Sequence, residues 1–165
     1  MIPLLFSVML LFSCEKWPVF RASGEPVRII ELNQADAEMA QIAEDARSTL
    51  SVFFRQLLRA DGKEHHYFIK YPFIADAGSG GIEQVWLTGI RFKNGTYYGN
   101  FASDPIQISG MKKGDTTAFE PDRITDWMYI QDEKIIGGSS IQYLLNQIPA
   151  DQRTPREQSL LKMFE

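Results

Sequence analysis

The sequence of 165 residues is 44% hydrophobic and 23% charged, and its formal net charge is −4. This is the composition of one globular domain with a core of ordinary size, and it excludes a disordered chain. Its 17 basic and 21 acidic side chains are interspersed. No basic stripe is therefore present for a nucleic acid, and a single cysteine excludes an intrachain disulfide or a thiolate metal cluster.

The chain begins with an apolar run, Ile2–Phe12, which is shorter than the roughly 20 residues that a membrane-spanning helix needs. Its length is that of the apolar part of a secretory signal, although the first residues lack the usual positive charge. The run ends in Leu11-Phe12-Ser13-Cys14, which resembles the lipobox of bacterial lipoproteins. The resemblance implies that residues 1–13 are a signal peptide and that Cys14 is lipidated.

Residues 14–26 contain two prolines and a glycine without any period, which is typical of a tether. A lipidated cysteine on a tether predicts a protein of the cell envelope that faces the periplasm and is bound to a membrane through its lipid. In lipoprotein families an aspartate directly after the lipidated cysteine is associated with inner-membrane retention. This chain has Glu15 at that position instead, which favours the outer membrane. The alternative interpretation is an apolar N-terminal helix packed on the domain, with Cys14 as a buried thiol.

The folded domain is expected over residues 27–165, and its clearest element is a helix over 33–60. Apolar residues there recur at intervals of three and four, from Met39 to Leu57, as on one face of an amphipathic helix. Asn33 is a candidate N-cap, and Asp61-Gly62 is a stop signal. Val27–Leu32 precedes the helix as a short strand or an extended entry segment.

From His66 onward the period changes from helical to alternating, and the segments are rich in aromatic and β-branched residues, which favours strands. Asn94-Gly95 predicts a tight hairpin between two of them. The segments with this strand pattern are His66–Phe73, Ile82–Phe92, Thr96–Phe101, Thr116–Glu120 and Ile124–Gln131, after which Asp132-Glu133-Lys134 turns toward Ile135-Ile136. Because hairpin connections such as residues 75–81 and Lys93-Asn94-Gly95 join successive segments, we expect an antiparallel meander.

Two short helices follow the strands. Ile141, Leu144, Leu145 and Ile148 lie on one side of the first, and a capping box with proline, Thr154-Pro155-Arg156-Glu157, starts the second. The pattern predicts an α+β domain. A long N-terminal amphipathic helix packs on a curved antiparallel sheet, whose closure into a small barrel is left open.

Several short pieces occur in a characteristic order after the long helix. They are Phe68-x-Lys70, Glu83-Gln84-Val85-Trp86, Tyr98-Gly99, Asp104-Pro105, Lys113-Gly114-Asp115, Ile124-x-Asp126-Trp127 and Gly137-Gly138. In this order they resemble the YegJ-like family of small bacterial domains of unknown function, from about residue 33 to about residue 148. Gln84 and Ser139-Ser140 depart from residues common in that family, a histidine and a Tyr-Thr pair. The resemblance implies a domain identity and no activity, cofactor or catalytic residue.

Five residues are candidates for a ligand site: Lys70, Glu83, Trp86, Asp126 and Trp127. Asp126 is expected in an otherwise apolar row with Ile124 and Met128, where burial would raise its pKa unless a cation meets it. Lys70 is the expected partner across the sheet. The competing interpretation is a structural pair that fixes strand register. Neighbouring strand residues point to opposite faces, so His65-His66 is a poor metal site, and we expect neither a metal nor another cofactor.

The sequence therefore favours a non-enzymatic envelope module that binds a peptide, protein or small ligand through its sheet or hairpin loops. No nucleophile–base or metal constellation is visible. One alternative is a hydrolase that uses Asp126 or Glu83 with His65 or His66. A further alternative is an immunity-type inhibitor of a toxin, which the sequence neither supports nor excludes.

Overall fold

The structure, a computed structural model, describes residues 37–60, 66–76 and 81–164 and two short strands near the N-terminus. The predictions for Cys14, the tether 14–26, His65 and nearly all of the segment 1–13 lie outside these residues. The short strands are β1 (Leu5–Phe6) and β2 (Ile30–Glu31), which pair antiparallel. In the described part of the chain, no helix has the length and apolar character needed to cross a bilayer.

The predicted long helix is α1, Ala37–Leu57. Ile42, Ala46, Leu50 and Phe53 are buried, at the spacing that places them on one face. Glu44 lies away from this face and forms an ion pair with Arg47 at 2.8 Å, and the half-buried Arg47 at the edge of the face also donates to the Ile124 carbonyl at 3.4 Å. The apolar stripe of the sequence is therefore the face that packs on the sheet.

Six strands form the main sheet, and each lies within about two residues of a predicted segment. They are β3 (Tyr67–Ile74), β4 (Ile82–Lys93), β5 (Thr96–Phe101), β6 (Thr116–Phe119), β7 (Asp126–Gln131) and β8 (Lys134–Gly137). Asn94 and Gly95 both have positive φ, 51° and 80°, as the hairpin turn between β4 and β5 requires. All the strand pairs are antiparallel.

The strand order is β6-β5-β4-β3-β7-β8, so the predicted meander is wrong after β6. The chain returns across the sheet through a turn of 3₁₀ helix, Pro121–Arg123, and β7 pairs with β3. The first four residues of β7 are all buried, which requires a central position with cover on both faces. β6, by contrast, has exposed positions and forms one edge of the sheet, three strands away from β3.

The sheet is open, with β6 and β8 as its edges, so it does not close into a barrel. It is nevertheless strongly curved. The rings of Tyr71 in β3 and Phe119 in β6 lie 6.1 Å apart, although these strands would lie roughly 14 Å apart in a flat sheet. The curved side encloses the larger core.

Helices cover both faces of the sheet and create two cores. In the first core, Leu50 and Phe53 of α1 pack with Ile69, Leu87 and Trp127. In the second, Phe68, Trp86 and Met128 on the other face pack under two C-terminal helices. Those helices are α2 (Ser139–Gln147) and α3 (Pro155–Lys162), and α3 has the predicted capping box at Thr154 and Glu157.

Candidate functional site

Three polar side chains meet on the sheet face that α2 covers. Lys70 of β3 lies directly opposite Asp126 of β7. The Lys70 Nζ donates to the Ser140 Oγ at 3.2 Å, and the Ser140 hydroxyl and backbone N–H both hydrogen-bond to Asp126. All three residues are buried, with 6%, 2% and 1% of their surfaces exposed. We call Lys70, Asp126 and Ser140 the polar cluster.

Burial controls the electrostatics of the polar cluster. Removal from water lowers the pKa of Lys70 to about 8, although the attraction of Asp126 acts in the opposite direction. Burial likewise raises the pKa of Asp126, although hydrogen bonds from Ser140 and the charge of Lys70 oppose this shift. Desolvation penalises the charged form of each group more than the partner's attraction favours it. The pair is therefore closer to neutrality than an exposed pair would be.

Asp126, which lies on strand β7, caps the N-terminus of helix α2. Gly138 occupies the N-cap position and supplies no side-chain hydrogen bond, so the first N–H groups of α2 need another acceptor. The Asp126 carboxylate accepts from the Ser140 N–H at 2.8 Å, and its other oxygen accepts from the Trp127 N–H at 2.8 Å. A carboxylate here also complements the positive end of the helix dipole.

The neighbouring backbone completes this link between β7 and α2. The Gly138 N–H donates to the Trp127 carbonyl at 2.8 Å. Gly137 has φ +80°, and a Cβ there would collide with that carbonyl oxygen and lie 2.8 Å from Cε3 of the indole. Only glycine allows so close an approach at this φ. The Asp126-Trp127 and Gly137-Gly138 pieces thus form one structural unit.

Trp127 points to the opposite face from Asp126 and joins the sheet to α1. Its Nε1 donates to the Ala46 carbonyl at 3.0 Å and lies 3.2 Å from the Thr49 hydroxyl. Its ring contacts Phe53 at a centroid distance of 5.7 Å. Trp127 therefore belongs to the first core and lies away from the polar cluster.

Trp86 lies on the same face as the polar cluster, directly opposite Lys70 on β4. The Lys70 Nζ lies 6.0 Å from the indole centroid, which is at the outer limit of a cation–π contact. Beside it, Thr125 donates to the Gln84 Oε1 at 2.7 Å. Gln84, where the YegJ-like pattern often has histidine, thus holds the segment that enters β7.

Glu83 lies away from the polar cluster and holds a loop. Its two carboxylate oxygens accept from the backbone N–H groups of Ile106 and Gln107, both at 2.7 Å. These residues belong to the connection between β5 and β6, residues 102–115. Glu83 is therefore a structural anchor for this connection.

Three more carboxylates bind backbone N–H groups of the same connection. Asp76 accepts from Ser109, Asp104 from Lys113 at 2.8 Å, and Asp115 from Lys112 at 3.0 Å. Ile108 and Met111 pack inward on the first core. We call residues 102–115 the pinned loop, because side chains fix its backbone at four places.

Large apolar side chains are exposed where the pinned loop meets the β3–β4 hairpin. Ile74 and Ile82 are directly paired at the end of the hairpin and are 82% and 47% exposed. Ile106 of the pinned loop is 56% exposed. The Asp76 N–H also donates to the Gln107 carbonyl at 2.8 Å, which joins the two segments. We call Ile74, Ile82 and Ile106 the isoleucine end.

The structure brings together only part of the predicted ligand site. Lys70, Trp86 and Asp126 share one face, whereas Glu83 and Trp127 lie elsewhere. The expected row of Ile124 with Asp126 is wrong, because Ile124 follows the 3₁₀ turn and enters the first core. A ligand-binding role for the five residues stays a prediction.

Sequence reasoning did not single out Ser140 as a partner of Lys70, nor the isoleucine end. A signal for the first was present, since a helix that begins after Gly137-Gly138 has no side chain of its own for an N-cap. No local signal marked the second, because two of the four carboxylates that hold the pinned loop, Asp76 and Glu83, lie outside it.

The residues named for a hydrolase are not brought together in the described part of the chain. His66 precedes Lys70, the residue opposite Asp126, by four positions, or roughly 13 Å along a strand. Both candidate carboxylates already accept hydrogen bonds from backbone N–H groups. Among the described residues, no group of three His, Cys, Asp or Glu side chains is placed to hold a metal ion.

Comparison with known proteins identifies the family. A family model described as "Uncharacterized protein conserved in bacteria (DUF2314)" matches residues 36–160. The chain belongs to the DUF2314 family. The match begins just before α1 and ends within α3, so the whole sheet and both of its helical layers lie in the DUF2314 region.

Two relatives are similar to this DUF2314 chain. The uncharacterized protein YegJ of Escherichia coli K12 is 29% identical over 114 residues, which are 69% of this chain and 71% of that protein. A protein of Neisseria meningitidis serogroup B, named "Putative ankyrin repeat protein", is 28% identical over 134 residues, or 78% of this chain. The chain spans about half, 53%, of that relative's length. No solved structure matches this DUF2314 chain, and the predicted YegJ-like resemblance is confirmed.

Proposed function

We propose that this protein is a lipid-anchored module of the bacterial envelope that binds a protein partner through the isoleucine end, without catalysis. The observation that carries the proposal is a set of exposed isoleucines held on a fixed backbone. The family is uncharacterized and adds no activity.

Exposed apolar side chains on a rigid scaffold favour binding. Singly exposed apolar residues are ordinary on a protein surface, but Ile74 and Ile82 are adjacent, and the pinned loop brings Ile106 to the same end. Loops longer than about 12–15 residues in a compact domain are usually either functional or disordered, and the pinned loop is held by hydrogen bonds at four places. Because carboxylates fix this loop before a partner arrives, less conformational entropy is lost on binding.

The polar cluster supports a structural interpretation of the groups that a hydrolase would need. The Ser140 hydroxyl is hydrogen-bonded to Lys70 and Asp126 and is 1% exposed. A nucleophile must reach the reacting atom of its substrate, and this hydroxyl lies under α2. We therefore assign the cluster to the joint between sheet and helix.

The anchor is proposed from the motif at Cys14. Leu11-Phe12-Ser13-Cys14 follows an apolar run of signal-peptide length and precedes a tether of about a dozen residues. Such a tether would hold the domain near a membrane and leave the isoleucine end available to another envelope protein.

Binding is tested by cross-linking intact cells and purifying the protein with what it binds. We expect a partner that is retained by wild type and lost in the double variant Ile74→Ser/Ile82→Ser. Leu58→Ser is the matched control, because Leu58 at the end of α1 is 88% exposed and lies outside this surface. The partner is then purified, and its affinity for each variant is measured. Equal affinity for wild type and the double variant would contradict the proposal.

The anchor is tested by intact mass. Protein extracted from membranes should begin at Cys14 and carry the added mass of a diacylglycerol and an acyl chain. Cys14→Ala should abolish this modification and leave the signal uncleaved. A membrane-extracted chain of unmodified mass that retains Met1 would exclude the lipoprotein hypothesis and leave the binding proposal standing.

A further inference from the structure

We propose that the isoleucine end binds a polypeptide segment in which apolar side chains are flanked by basic residues. This inference rests on the proposed function and specifies the chemistry of the partner. It is carried by the charges that surround the three isoleucines.

Two carboxylates lie close to the paired isoleucines along the chain, and Glu83, as the strand neighbour of Ile82, points to the other face of the sheet. Asp76 follows Ile74 by two residues, and Glu83 follows Ile82 directly. Both carboxylates have fixed positions, because each accepts hydrogen bonds from the pinned loop. Hydrogen bonds from Ser109 lower the pKa of Asp76, so this exposed side chain is negatively charged at neutral pH.

The pinned loop is itself formally neutral, so the negative excess at this end comes from Asp76 and Glu83 of the hairpin. Its carboxylates, Asp104 and Asp115, lie against the backbone of Lys112 and Lys113, whose side chains are the basic groups of this segment. With Asp76 and Glu83, four carboxylates stand against two ammonium groups, and the nearby Arg123, which donates to the Pro72 carbonyl at 3.3 Å, is paired with Glu120 at 3.8 Å. Fixed like charges attract a partner of opposite charge and disfavour one of the same sign.

These charges favour a polypeptide over a lipid surface. Bacterial membranes contain anionic lipids, whose surface potential attracts basic segments and repels carboxylates. Exposed isoleucines alone would suit either occupant. A rim in which acids outnumber bases suits a basic, apolar segment of a protein.

A random dodecapeptide library displayed on phage tests this inference. It is selected on the immobilised full chain after depletion on Ile74→Ser/Ile82→Ser. We expect the retained sequences to be enriched in Lys or Arg beside Leu, Ile, Val or Phe. Retained sequences that are neutral or acidic would overturn the inference but leave an isoleucine-dependent binding surface. If the selection enriches no peptide whose binding depends on the isoleucines, that result would count against both proposals.

The selected peptides are then measured against variants that remove charge and keep hydrogen bonds. Asp76→Asn/Glu83→Gln retains an acceptor oxygen at each position and should weaken peptide binding by about tenfold. Asp132→Asn/Glu133→Gln removes two charges from the exposed β7–β8 turn and should leave affinity within about twofold. Equal weakening by both pairs would indicate attraction to overall charge and overturn the inference.

A lipid control completes the test. Vesicles of phosphatidylethanolamine with one quarter phosphatidylglycerol are sedimented with the Cys14→Ser chain, with and without the double isoleucine change. We expect no isoleucine-dependent sedimentation. Sedimentation that the isoleucine change abolishes would make a membrane the occupant and overturn the inference.

Discussion

The polar cluster and the pinned loop use the same contact in different surroundings. In each, a carboxylate accepts hydrogen bonds from backbone N–H groups and holds a segment that has no partner of its own. Asp126 is buried, and desolvation raises its pKa. Asp76 is exposed, and its hydrogen bonds lower its pKa. The direction of the pKa shift shows which effect dominates at each site: desolvation at Asp126 and hydrogen bonding at Asp76.

The largest effect is expected from removing the carboxylate of the polar cluster. Asp126→Ala leaves Lys70 buried without its counter-charge and the first N–H groups of α2 without their acceptor. We expect a loss of about 3–5 kcal/mol of unfolding free energy, measured by urea denaturation. Asp126→Asn, which keeps an acceptor, should lose less. A loss below about 1 kcal/mol for Asp126→Ala would show that the cluster does not hold α2.

A smaller effect is expected from adding one methyl group at the turn before α2. Gly137→Ala places its Cβ against the Trp127 carbonyl oxygen and ring. Gly110→Ala in the pinned loop is the matched control, since Gly110 has φ +75° and no atom within 4 Å of an added Cβ. Both variants incur the left-handed backbone cost of about 1–2 kcal/mol. Thermal unfolding should show a further loss of about 2 kcal/mol in Gly137→Ala. Equal losses would mean that the turn can move away from Trp127.

The pH dependence of stability separates the buried contact from the exposed one. Below pH 8 the folded and unfolded chains both keep the Lys70 proton. Between about 8 and its ordinary pKa of 10.5, the folded chain releases the proton while the unfolded chain keeps it. The unfolded state then binds more protons, so stability rises with pH.

The rise attributable to Lys70 should be on the order of 1–3 kcal/mol. It is obtained as the difference between wild type and Lys70→Met in urea titrations from pH 7 to pH 10. A difference that stays constant over this range would show that burial does not lower the pKa of Lys70. The Asp76 contribution has the same sign but falls in the acid range, because its lowered pKa stabilises the folded state above the ordinary pKa of Asp and this stability is lost as pH falls.

The smallest effect on stability is expected at the pinned loop. Glu83→Ala should cost about 1 kcal/mol or less, because water can replace the lost acceptor. Its effect should be local, with faster hydrogen exchange at the Ile106 and Gln107 amides. Glu83→Gln keeps an acceptor and should exchange more slowly than Glu83→Ala. Unchanged exchange in Glu83→Ala would show that Glu83 does not fix the loop.

The sequence by itself determined the elements of this protein. The three- and four-residue spacing of α1, the alternation of the strands, the Asn94-Gly95 turn and the Thr154 capping box all appear in the structure where they were expected. Each depends on residues that are close along the chain, so each leaves a local signal. The α+β class followed from these signals, and the YegJ-like resemblance followed separately from the ordered short motifs between Phe68 and Gly138.

Only the tertiary structure decided which strands are neighbours and which side chains meet. The pairing of β7 with β3 joins residues more than fifty positions apart, and no local pattern specifies such a partner. The meeting of Lys70, Asp126 and Ser140 depends on that pairing and on α2 returning over the sheet. The pinned loop likewise has no period of its own. Its form comes from carboxylates on the hairpin and within the loop, which meet its N–H groups only after the sheet has formed.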